Sequence, residues 1–312
     1  MTKNYEHSRV VTVVTPTYNR ATHLPRLFAS LCEQTFSDFE WVVVDDGSND
    51  GTDSIVRDWQ RNSPFPIRYF WQENSGRHIA MNRGVREARG EYCAVIDSDD
   101  WYVPSALERM IYHWSTLEGG EKEGFANVEG LCAHADGSIV GDSFPSNVLD
   151  SNNFELVAKH RIKGDKEGMY RTEVLRLFPF PEIKGVFISE DSVFFKIAEV
   201  FKSRFVNEVW AYKEYHADGI SANIDRDKKR FARGLLLEQE TVITLRLERP
   251  PALVLRSYAN LVRYSLHTRR GFRKQFSVAQ SPLLWAAMVP VGVLLYLRDE
   301  ISARRNATGA LP

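Results

Sequence analysis

The chain has 312 residues, of which 43% are hydrophobic and 26% charged, and its formal net charge is −1. This composition is that of a soluble globular protein with enough apolar material for a large core. The three cysteines, Cys32, Cys93 and Cys132, are widely spaced and form no Cys-x-x-Cys pair, which argues against a disulfide scaffold or a zinc site. The polar N-terminus has no apolar stretch of signal-peptide length, so we expect a cytoplasmic protein.

The near-zero net charge conceals an asymmetry along the chain. Residues 226–312 contain sixteen Lys and Arg against six Asp and Glu, a balance of +10, so residues 1–225 carry −11. An acidic body joined to a basic C-terminal segment predicts two parts with different roles. Nucleic-acid binding is not expected, because the body is acidic and the basic residues cluster beside an apolar segment.

Strand and helix patterns alternate over the first 120 residues or so. Runs rich in β-branched residues predict strands, and apolar residues at helical spacing predict the helices between them. The predicted strands are residues 10–15, 39–44, 67–71 and 92–96, and the predicted helices are residues 23–32, 52–59, 79–88 and 105–117. This order predicts an α/β fold with a mostly parallel central sheet and helices on both faces. Beyond Gly119 the pattern loosens, and antiparallel strand pairs are expected.

An acidic cluster directly follows the fourth predicted strand. Residues 94–96 are apolar and run into Asp97, Asp99 and Asp100. Ligands bind at the carboxyl edge of open α/β sheets, and Mg²⁺ is usually held by one or two carboxylates together with the phosphates of a substrate. The pattern therefore favours a metal–phosphate site, although an acidic turn without a ligand has the same sequence.

Two other polar turns are expected at the same edge of the sheet. The first strand ends in Pro16-Thr17-Tyr18-Asn19-Arg20 and the second in Asp45-Asp46-Gly47-Ser48. A carboxylate accepts hydrogen bonds from a base or a ribose, and an arginine pairs with phosphate, so this set suits a nucleotide. The chain has no Gly-x-Gly-x-x-Gly after the first strand and no Walker-type Gly-x-x-x-x-Gly-Lys-Ser/Thr, which argues against a dinucleotide oxidoreductase or a P-loop NTPase.

Four segments, in this order and spacing, resemble the family 2 glycosyltransferases. They are the two strand ends above, the acidic residues 97–100, and residues 74–84, which read Asn-Ser-Gly-Arg-His-Ile-Ala-Met-Asn-Arg-Gly. The resemblance covers roughly residues 8–220. It implies a GT-A domain at 1–225, with a nucleotide-sugar half at about 8–118 and an acceptor half at about 119–225, followed by a helical extension at 226–312.

The resemblance also implies roles for single residues of the donor site. Asp46 corresponds to the family carboxylate that contacts the nucleobase. Asp97 and Asp99 correspond to the Asp-x-Asp pair, which holds a divalent cation, Mn²⁺ or Mg²⁺, on the diphosphate. The other candidates for donor binding are Pro16, Thr17, Tyr18, Arg20, Arg77 and Ser98.

For catalysis, the resemblance points to Glu190 and Asp191. Asp191 corresponds to the base that takes the proton from an acceptor hydroxyl, with inversion at the sugar carbon. The residues themselves leave another interpretation open, because an acidic pair before an apolar helix is also typical of an N-cap and first helical turn. His216 is a further candidate metal ligand, although a lone histidine at a strand end is more often structural.

The C-terminal segment predicts a membrane contact. Residues 282–297 are almost wholly apolar and follow the basic run Arg269-Arg270-Gly-Phe-Arg273-Lys274. A helix of this length spans about 24 Å, short of the ~30 Å hydrocarbon core, and Pro290 would kink it. A helix lying in the interface of an anionic inner leaflet is therefore expected, with a buried helix or a dimer surface as alternatives.

Together with these patterns, the resemblance implies an inverting transferase at the inner face of the cell membrane. It would move a sugar from a nucleotide-diphosphate sugar to a glycan or lipid-linked acceptor. Two other classes stay open. One is a nucleotidyltransferase of similar α/β design, which would normally carry a glycine-rich loop after the first strand, and the other is a catalytically silent, membrane-associated scaffold.

Overall fold

The structure is a computed structural model that describes residues 10–215, 224 and 227–308, with side chains described as far as residue 303. These residues form two compact units. The first contains the chain up to Gly185 together with Val200–Glu214, and the second contains Val186–Glu199 together with the chain from Tyr215 onward. The segment Val186–Glu199 thus groups with the C-terminal helices, whereas the sequence-based division lies at residue 225. That division stays a prediction.

The first unit is built on one large sheet. Its strands are β1 (Val11–Thr17), β2 (Phe39–Asp45), β3 (Ile67–Trp71), β4 (Tyr92–Val95), β5 (Trp101–Tyr102), β6 (Phe125–Ala133), β7 (Val148–Ser151), β8 (Lys166–Arg171) and β9 (Lys202–Tyr212). Their order is β3-β2-β1-β4-β8-β6-β9-β5, and β7 pairs with β9 outside this path.

The pairing directions divide the sheet into two halves. Strands β1 to β4 are mutually parallel. Strand β8 is antiparallel to both β4 and β6, and β5 and β7 are antiparallel to β9, whereas β6 and β9 run parallel. The predicted α/β fold is confirmed, with a parallel first half and antiparallel pairs beyond Gly119.

Helices connect these strands and cover the core of the first unit. They are α1 (Leu24–Cys32), α2 (Thr52–Asn62), α3 (Arg77–Glu87), α4 (Ala106–Ser115), α5 (Asn153–Ala158) and α6 (Thr172–Leu177), with a 3₁₀ turn at Gly119–Gly124. Trp41, Trp114 and Trp210 are each at most 1% exposed and lie in one apolar cluster. The cysteines Cys32, Cys93 and Cys132 are all free, as the sequence predicts.

Helix α3 lies unusually close to strand β1. A Cβ atom at Gly84 would meet Cγ1 of Val14 at 2.2 Å, a distance that a side chain as stiff as valine cannot relieve by rotation. The helix begins at Arg77, two residues before the predicted start, so this arginine belongs to its first turn. The close packing therefore requires a residue without a side chain at position 84.

The second unit is helical. Its helices are α7 (Asp191–Ala198), α8 (Lys228–Thr244), α9 (Pro251–His267), α10 (Phe272–Val278) and α11 (Pro282–Thr308). Buried aromatic and aliphatic residues of α8 and α9, among them Phe231, Tyr258 and Leu261, form its core. The predicted helical C-terminal part is therefore confirmed.

Helix α11 corrects the prediction for the C-terminal apolar segment. Instead of sixteen residues, α11 has 27 residues, and Pro290 lies inside it. At 1.5 Å per residue it is about 40 Å long. In the described part of the chain it is the one helix long and apolar enough to cross a membrane, over 22 residues with a mean hydropathy of 1.3.

The sequence analysis underestimated α11 because the residues after Leu297 are polar. The structure shows what they contact: Asp299 receives two hydrogen bonds from Arg263 of α9, at 2.6 and 2.5 Å, and lies 3.0 Å from Nε2 of His267. A buried ion pair thus extends the helix beyond its apolar stretch and ties it to α9.

Candidate functional site

Three loops meet at the carboxyl edge of the parallel strands. Strand β1 pairs with β2 on one side and with β4 on the other, so all three strands end at the same edge. The backbone N–H of Asp46 donates to the carbonyl of Thr17 at 2.8 Å, and that of Ile96 donates to Val14 at 3.0 Å. The predicted convergence of the three polar turns on one edge is confirmed.

The loops after β1 and β2 are joined by hydrogen bonds that the sequence did not indicate. Backbone N–H groups of one loop donate to side chains of the other: Asn19 to Oγ of Ser48 at 2.8 Å, Asn49 to Oδ1 of Asn19 at 2.9 Å, and Ala21 to Oδ2 of Asp50 at 2.8 Å. Asn19 has φ +51°, in the left-handed region that asparagine tolerates better than most residues. These contacts hold Tyr18 and Arg20 beside the second loop.

The acidic turn after β4 lies among cations. Nε of Arg77 lies 2.6 Å from Oδ1 of Asp97, and Nη2 of Arg20 lies 3.7 Å from Oδ2 of Asp99. Asp100 lies 2.5 Å from the ammonium of Lys213. Burial opposes the ionisation of Asp97, but Arg77, with help from Lys213 and Arg20, lowers the pKa of Asp97 below its usual value. Each of the three carboxylates therefore faces a different cation.

Arg26 of helix α1 supports the backbone of the same turn. Its guanidinium donates to the carbonyl oxygen of Asp99 at 2.7 Å, lies 3.8 Å above the ring of Trp101, and pairs with Glu214 at 2.6 Å. The sequence analysis missed Arg26, because nothing in its local pattern distinguishes it from a solvated helix residue.

Beneath the turn lies a small buried network of charged and polar groups. The hydroxyl of Tyr102 donates to Oε1 of Glu167 at 3.1 Å. Burial raises the pKa of Glu167 to about 8, since Lys213 and the Tyr102 hydrogen bond offset only part of that effect. Burial lowers the pKa of Lys213, but Asp100 and Asp97 together raise it well above its usual value. At neutral pH the network thus holds an ammonium, the Asp100 carboxylate and an un-ionised Glu167.

Asp46 accepts hydrogen bonds from its own protein. It is 3% exposed, and its carboxylate accepts from Nε2 of Gln72 at 2.7 Å and from the backbone N–H groups of Ser75 at 3.0 Å and Gly76 at 2.8 Å. These bonds shape the loop that leads into α3, where Gly76 has φ +108°. Asp46 therefore organises the approach to Arg77, and its contact with a nucleobase stays a prediction.

The other donor-site candidates divide by exposure. Pro16, Thr17 and Ser98 are buried, whereas Tyr18 is 49% exposed and the side chain of Arg20 is 38% exposed. Tyr18 and Arg20 are thus the members of this set that a ligand reaches without rearrangement. The donor-binding roles of all five residues stay predictions.

The acids at this edge fit a weakly caged divalent cation. The side chains of Asp97 and Asp99 are 32% and 22% exposed. Within the described ranges, no three His, Cys, Asp or Glu side chains are grouped so that they could hold a metal ion by themselves. Two partly exposed carboxylates suit an Mg²⁺ or Mn²⁺ ion whose remaining coordination positions are filled by water and substrate phosphates. They do not form a site in which the protein supplies all the ligands. His216 lies outside the described residues.

Glu190 and Asp191 belong to the second unit. Asp191 opens helix α7, and Glu190 occupies the N-cap position with φ −60° and ψ −34° but without a side-chain hydrogen bond to the cap. The helical backbone angles explain this, because a capping side chain normally comes from a residue in extended conformation. The side chain of Glu190 therefore does not cap the helix. The catalytic role of Glu190 and Asp191 stays a prediction.

Comparison with known proteins agrees with this geometry. Residues 12–119, which contain all three loops, match the family described as Glycosyl transferase family 2. Staphylococcus aureus TarS 1-349, in complex with UDP-GlcNAc, superposes with a TM-score of 0.65 at 19% identity, over 95% of this chain and 92% of that one. Residues 12–119 therefore match a family 2 glycosyltransferase domain, and the chain shares its fold with TarS.

Two other proteins extend the comparison. The mannosyltransferase PcManGT of Pyrobaculum calidifontis, in complex with GDP-Man and Mn²⁺, has a TM-score of 0.57 at 20% identity, over 98% of this chain and 89% of that one. The GalNAc(5)-diNAcBac-PP-undecaprenol beta-1,3-glucosyltransferase of Campylobacter jejuni is 36% identical over 39% of this chain and 38% of its own length. The chain matches 65%, 20% and 33% of the length of three other curated glycosyltransferases.

The buried network makes a prediction about stability and pH. Glu167 stays protonated in the folded state up to about pH 8, whereas an unfolded glutamate ionises near pH ~4.3. The free energy of unfolding of the wild type should therefore fall as the pH rises through this window. Glu167→Gln cannot ionise, so from pH 5 to 8 it should gain about 2–4 kcal/mol relative to the wild type in urea denaturation.

A matched variant controls this measurement. Glu118→Gln changes an exposed carboxylate and should leave the pH dependence of stability as in the wild type. A stability difference between Glu167→Gln and the wild type that stays constant from pH 5 to 8 would contradict the buried, neutral Glu167.

Proposed function

We propose that the protein transfers a sugar from a nucleoside diphosphate sugar to a hydroxyl group of a glycan or lipid-linked acceptor, as a step of polysaccharide biosynthesis. The observation that carries this proposal is the acidic turn at the shared edge of β1, β2 and β4, with Arg77 2.6 Å from Asp97. Carboxylates and guanidinium groups side by side suit a ligand that brings both phosphates and a cation. The complexes of TarS with UDP-GlcNAc and of PcManGT with GDP-Man and Mn²⁺ support a donor of this class.

In the donor site, Asp99 and Asp97 would hold the divalent cation. When bound, the cation would supply positive charge to the diphosphate leaving group. Arg77 and Arg20 would pair with phosphate oxygens, and this exchange is open to them because both are partly exposed and already lie against carboxylates. Tyr18, half exposed beside Arg20, is the side chain best able to cover the base or ribose.

For the acceptor, Asp191 would accept the proton of the attacking hydroxyl. Attack from the face opposite the leaving group would invert the sugar carbon. Two features of the second unit support this role: Asp191 lies in the first turn of α7, where the helix dipole stabilises a carboxylate, and its side chain is only half buried.

The second unit also supports a contact with the inner face of the cell membrane. Helix α11 packs Leu284, Trp285 and Met288 against the helical core. Its opposite face is exposed and apolar; there the exposed fractions are 86% for Leu283, 41% for Val291, 67% for Leu294, 48% for Leu297 and 53% for Ile301.

The helices α10 and α11 also carry exposed basic residues. Arg298 lies on α11 itself, and Arg273 and Lys274 lie on α10, between the half-exposed rings of Phe272 and Phe276. An exposed apolar helix face, together with exposed cations on the same and the preceding helix, is typical of a segment that lies in the interface of an anionic membrane. A lipid-linked acceptor fits this location, and the undecaprenol in the name of the Campylobacter jejuni relative is a lipid of that kind.

Asp99→Ala tests the donor site. Calorimetry with UDP and with GDP, each with and without Mn²⁺, should show metal-dependent binding of one nucleotide by the wild type. The variant should lose at least about tenfold in affinity, because it removes a metal ligand. Asp58→Ala, an exposed acid on α2, should bind like the wild type. If Asp99→Ala bound as tightly as the wild type, the metal site would be elsewhere. No binding of either nucleotide by the wild type would favour the scaffold alternative.

Asp191→Asn tests the base. It should bind the nucleotide as the wild type does, but its rate of sugar transfer should fall by about 10²–10⁴-fold, the usual contribution of a general base. The matched control is Glu248→Gln, which changes an exposed acid of the same unit. Sugar transfer at the wild-type rate would remove Asp191 from the mechanism, and transfer of a nucleotide in place of a sugar would favour a nucleotidyltransferase.

Leu294→Glu tests the membrane contact. The wild type should sediment with vesicles of phosphatidylethanolamine and phosphatidylglycerol, and less so at high salt. Burying a leucine is worth about 1.5–3 kcal/mol, so the variant should bind at least about tenfold more weakly. Leu177→Glu alters a leucine of the first unit that is 69% exposed and should sediment like the wild type. Equal sedimentation of the wild type and Leu294→Glu would contradict a contact through this face.

A further inference from the structure

Lys213 lies directly behind the acidic turn and is the first residue after β9. Its backbone N–H donates to the carbonyl of Ala133 at 2.9 Å, which fixes the start of the side chain. Its ammonium lies 2.5 Å from Oδ2 of Asp100, and the two side chains are only 12% and 5% exposed. The turn is thereby attached to a strand that lies 113 residues further along the chain.

The turn has defined anchors on either side of this contact. Before it, the N–H of Ile96 donates to Val14 at 3.0 Å, and after it the N–H of Tyr102 donates to Oγ of Ser30 at 3.2 Å. Within it, the N–H of Asp100 donates to the carbonyl of Asp97 at 3.2 Å. Asp100 is the most deeply buried of the three acids of the turn, so the position of its side chain fixes how the turn folds back on itself.

The buried pair constrains the turn because neither partner is stable there alone. A buried carboxylate without a cation either takes up a proton or moves toward water, and removing one partner of a buried pair is strongly destabilising. Asp97 and Asp99 lie three residues and one residue before Asp100, so any movement of Asp100 toward solvent displaces both of their carboxylates. Metal affinity depends on how well such supporting contacts hold the ligands.

We propose that Lys213 is a positioning residue for the candidate metal ligands Asp97 and Asp99. It keeps Asp100 in the interior and so fixes the turn that presents the two carboxylates. This inference rests on the proposed donor site. A positioning role and a purely electrostatic role of Lys213 predict opposite effects. If the turn did not move, removing this positive charge would strengthen the binding of a cation, whereas loss of positioning would weaken it.

Lys213→Met tests the proposal, because methionine fills most of the space but cannot hold Asp100. Mn²⁺ is titrated in the presence of UDP or of GDP, whichever the wild type binds, and free Mn²⁺ is followed by its EPR signal. The affinity for Mn²⁺ should fall by at least about tenfold, the usual effect of losing a contact that supports a metal ligand. Asp100→Asn should stay within about threefold of the wild type, because the amide oxygen still accepts from the ammonium. Binding of Mn²⁺ by Lys213→Met as tight as in the wild type, or tighter, would overturn the proposal.

Two further variants separate positioning from loss of the fold. Arg204→Met breaks another ion pair of β9, with Asp150 at 2.7 Å, and should bind Mn²⁺ like the wild type. The double variant Lys213→Met/Asp100→Asn removes both buried charges, which costs less stability than removing one. If Lys213→Met does not fold, the double variant carries the test: binding weakened at least about tenfold supports positioning, and binding like the wild type overturns it. Failure of the wild type to bind Mn²⁺ with either nucleotide would overturn the proposed function itself.

Discussion

Three carboxylates within four residues repel one another, and the arrangement of the first unit compensates that repulsion. Two unit charges 4 Å apart interact by about 4 kcal/mol near a protein surface, so an acidic turn of this kind needs cations close by. The protein supplies them from three elements that are distant in sequence. Arg77 comes from the first turn of α3, Arg20 from the loop after β1, and Lys213 from the end of β9.

The three ion pairs differ in how deeply they are buried and in how closely the cation approaches the carboxylate. Lys213 is buried with its partner, whereas Arg77 and Arg20 are each 38% exposed and Arg20 lies as far as 3.7 Å from Asp99. A ligand that carries phosphates and a cation offers the arginines new anionic partners and the aspartates a new cation, but it offers the buried pair nothing. The inner pair thus belongs to the framework of the site, and the outer pairs belong to its exchangeable surface.

The second unit presents a comparable division on a single helix. One side of α11 packs on α9 and ends in the Asp299 cluster, where Arg263 and His267 converge. The other side is apolar and exposed over four turns or more, from Leu283 to Ile301. The inner side explains why the helix continues past its apolar stretch, and the outer side is the observation on which the proposed membrane contact rests.

Local sequence pattern was sufficient to locate the strands and helices around the site. The β-branched runs predicted the ends of β1 to β4 to within two residues, and helical spacing predicted the ends of α1 to α4 to within three. Such patterns arise because a buried strand or helix face needs apolar residues at regular spacing along the chain. The alternation of strands and helices alone predicts that Asp46, Asp97 and the Tyr18–Arg20 loop lie at one edge of the sheet. The match of residues 12–119 to a glycosyltransferase family covers the same elements.

The residues that support those acids could not be predicted from sequence pattern and became apparent in the folded structure. Three contacts illustrate this: Lys213 with Asp100, Arg26 with the carbonyl of Asp99, and Arg263 with Asp299. The spacing of residues along the chain does not predict them, because each contact depends on strand order or helix packing between distant segments. The burial of Asp46 and the neutral Glu167 have the same origin. A side chain's exposure and its ionisation are set by what the rest of the chain packs around it, and that is a property of the fold and not of the neighbouring residues.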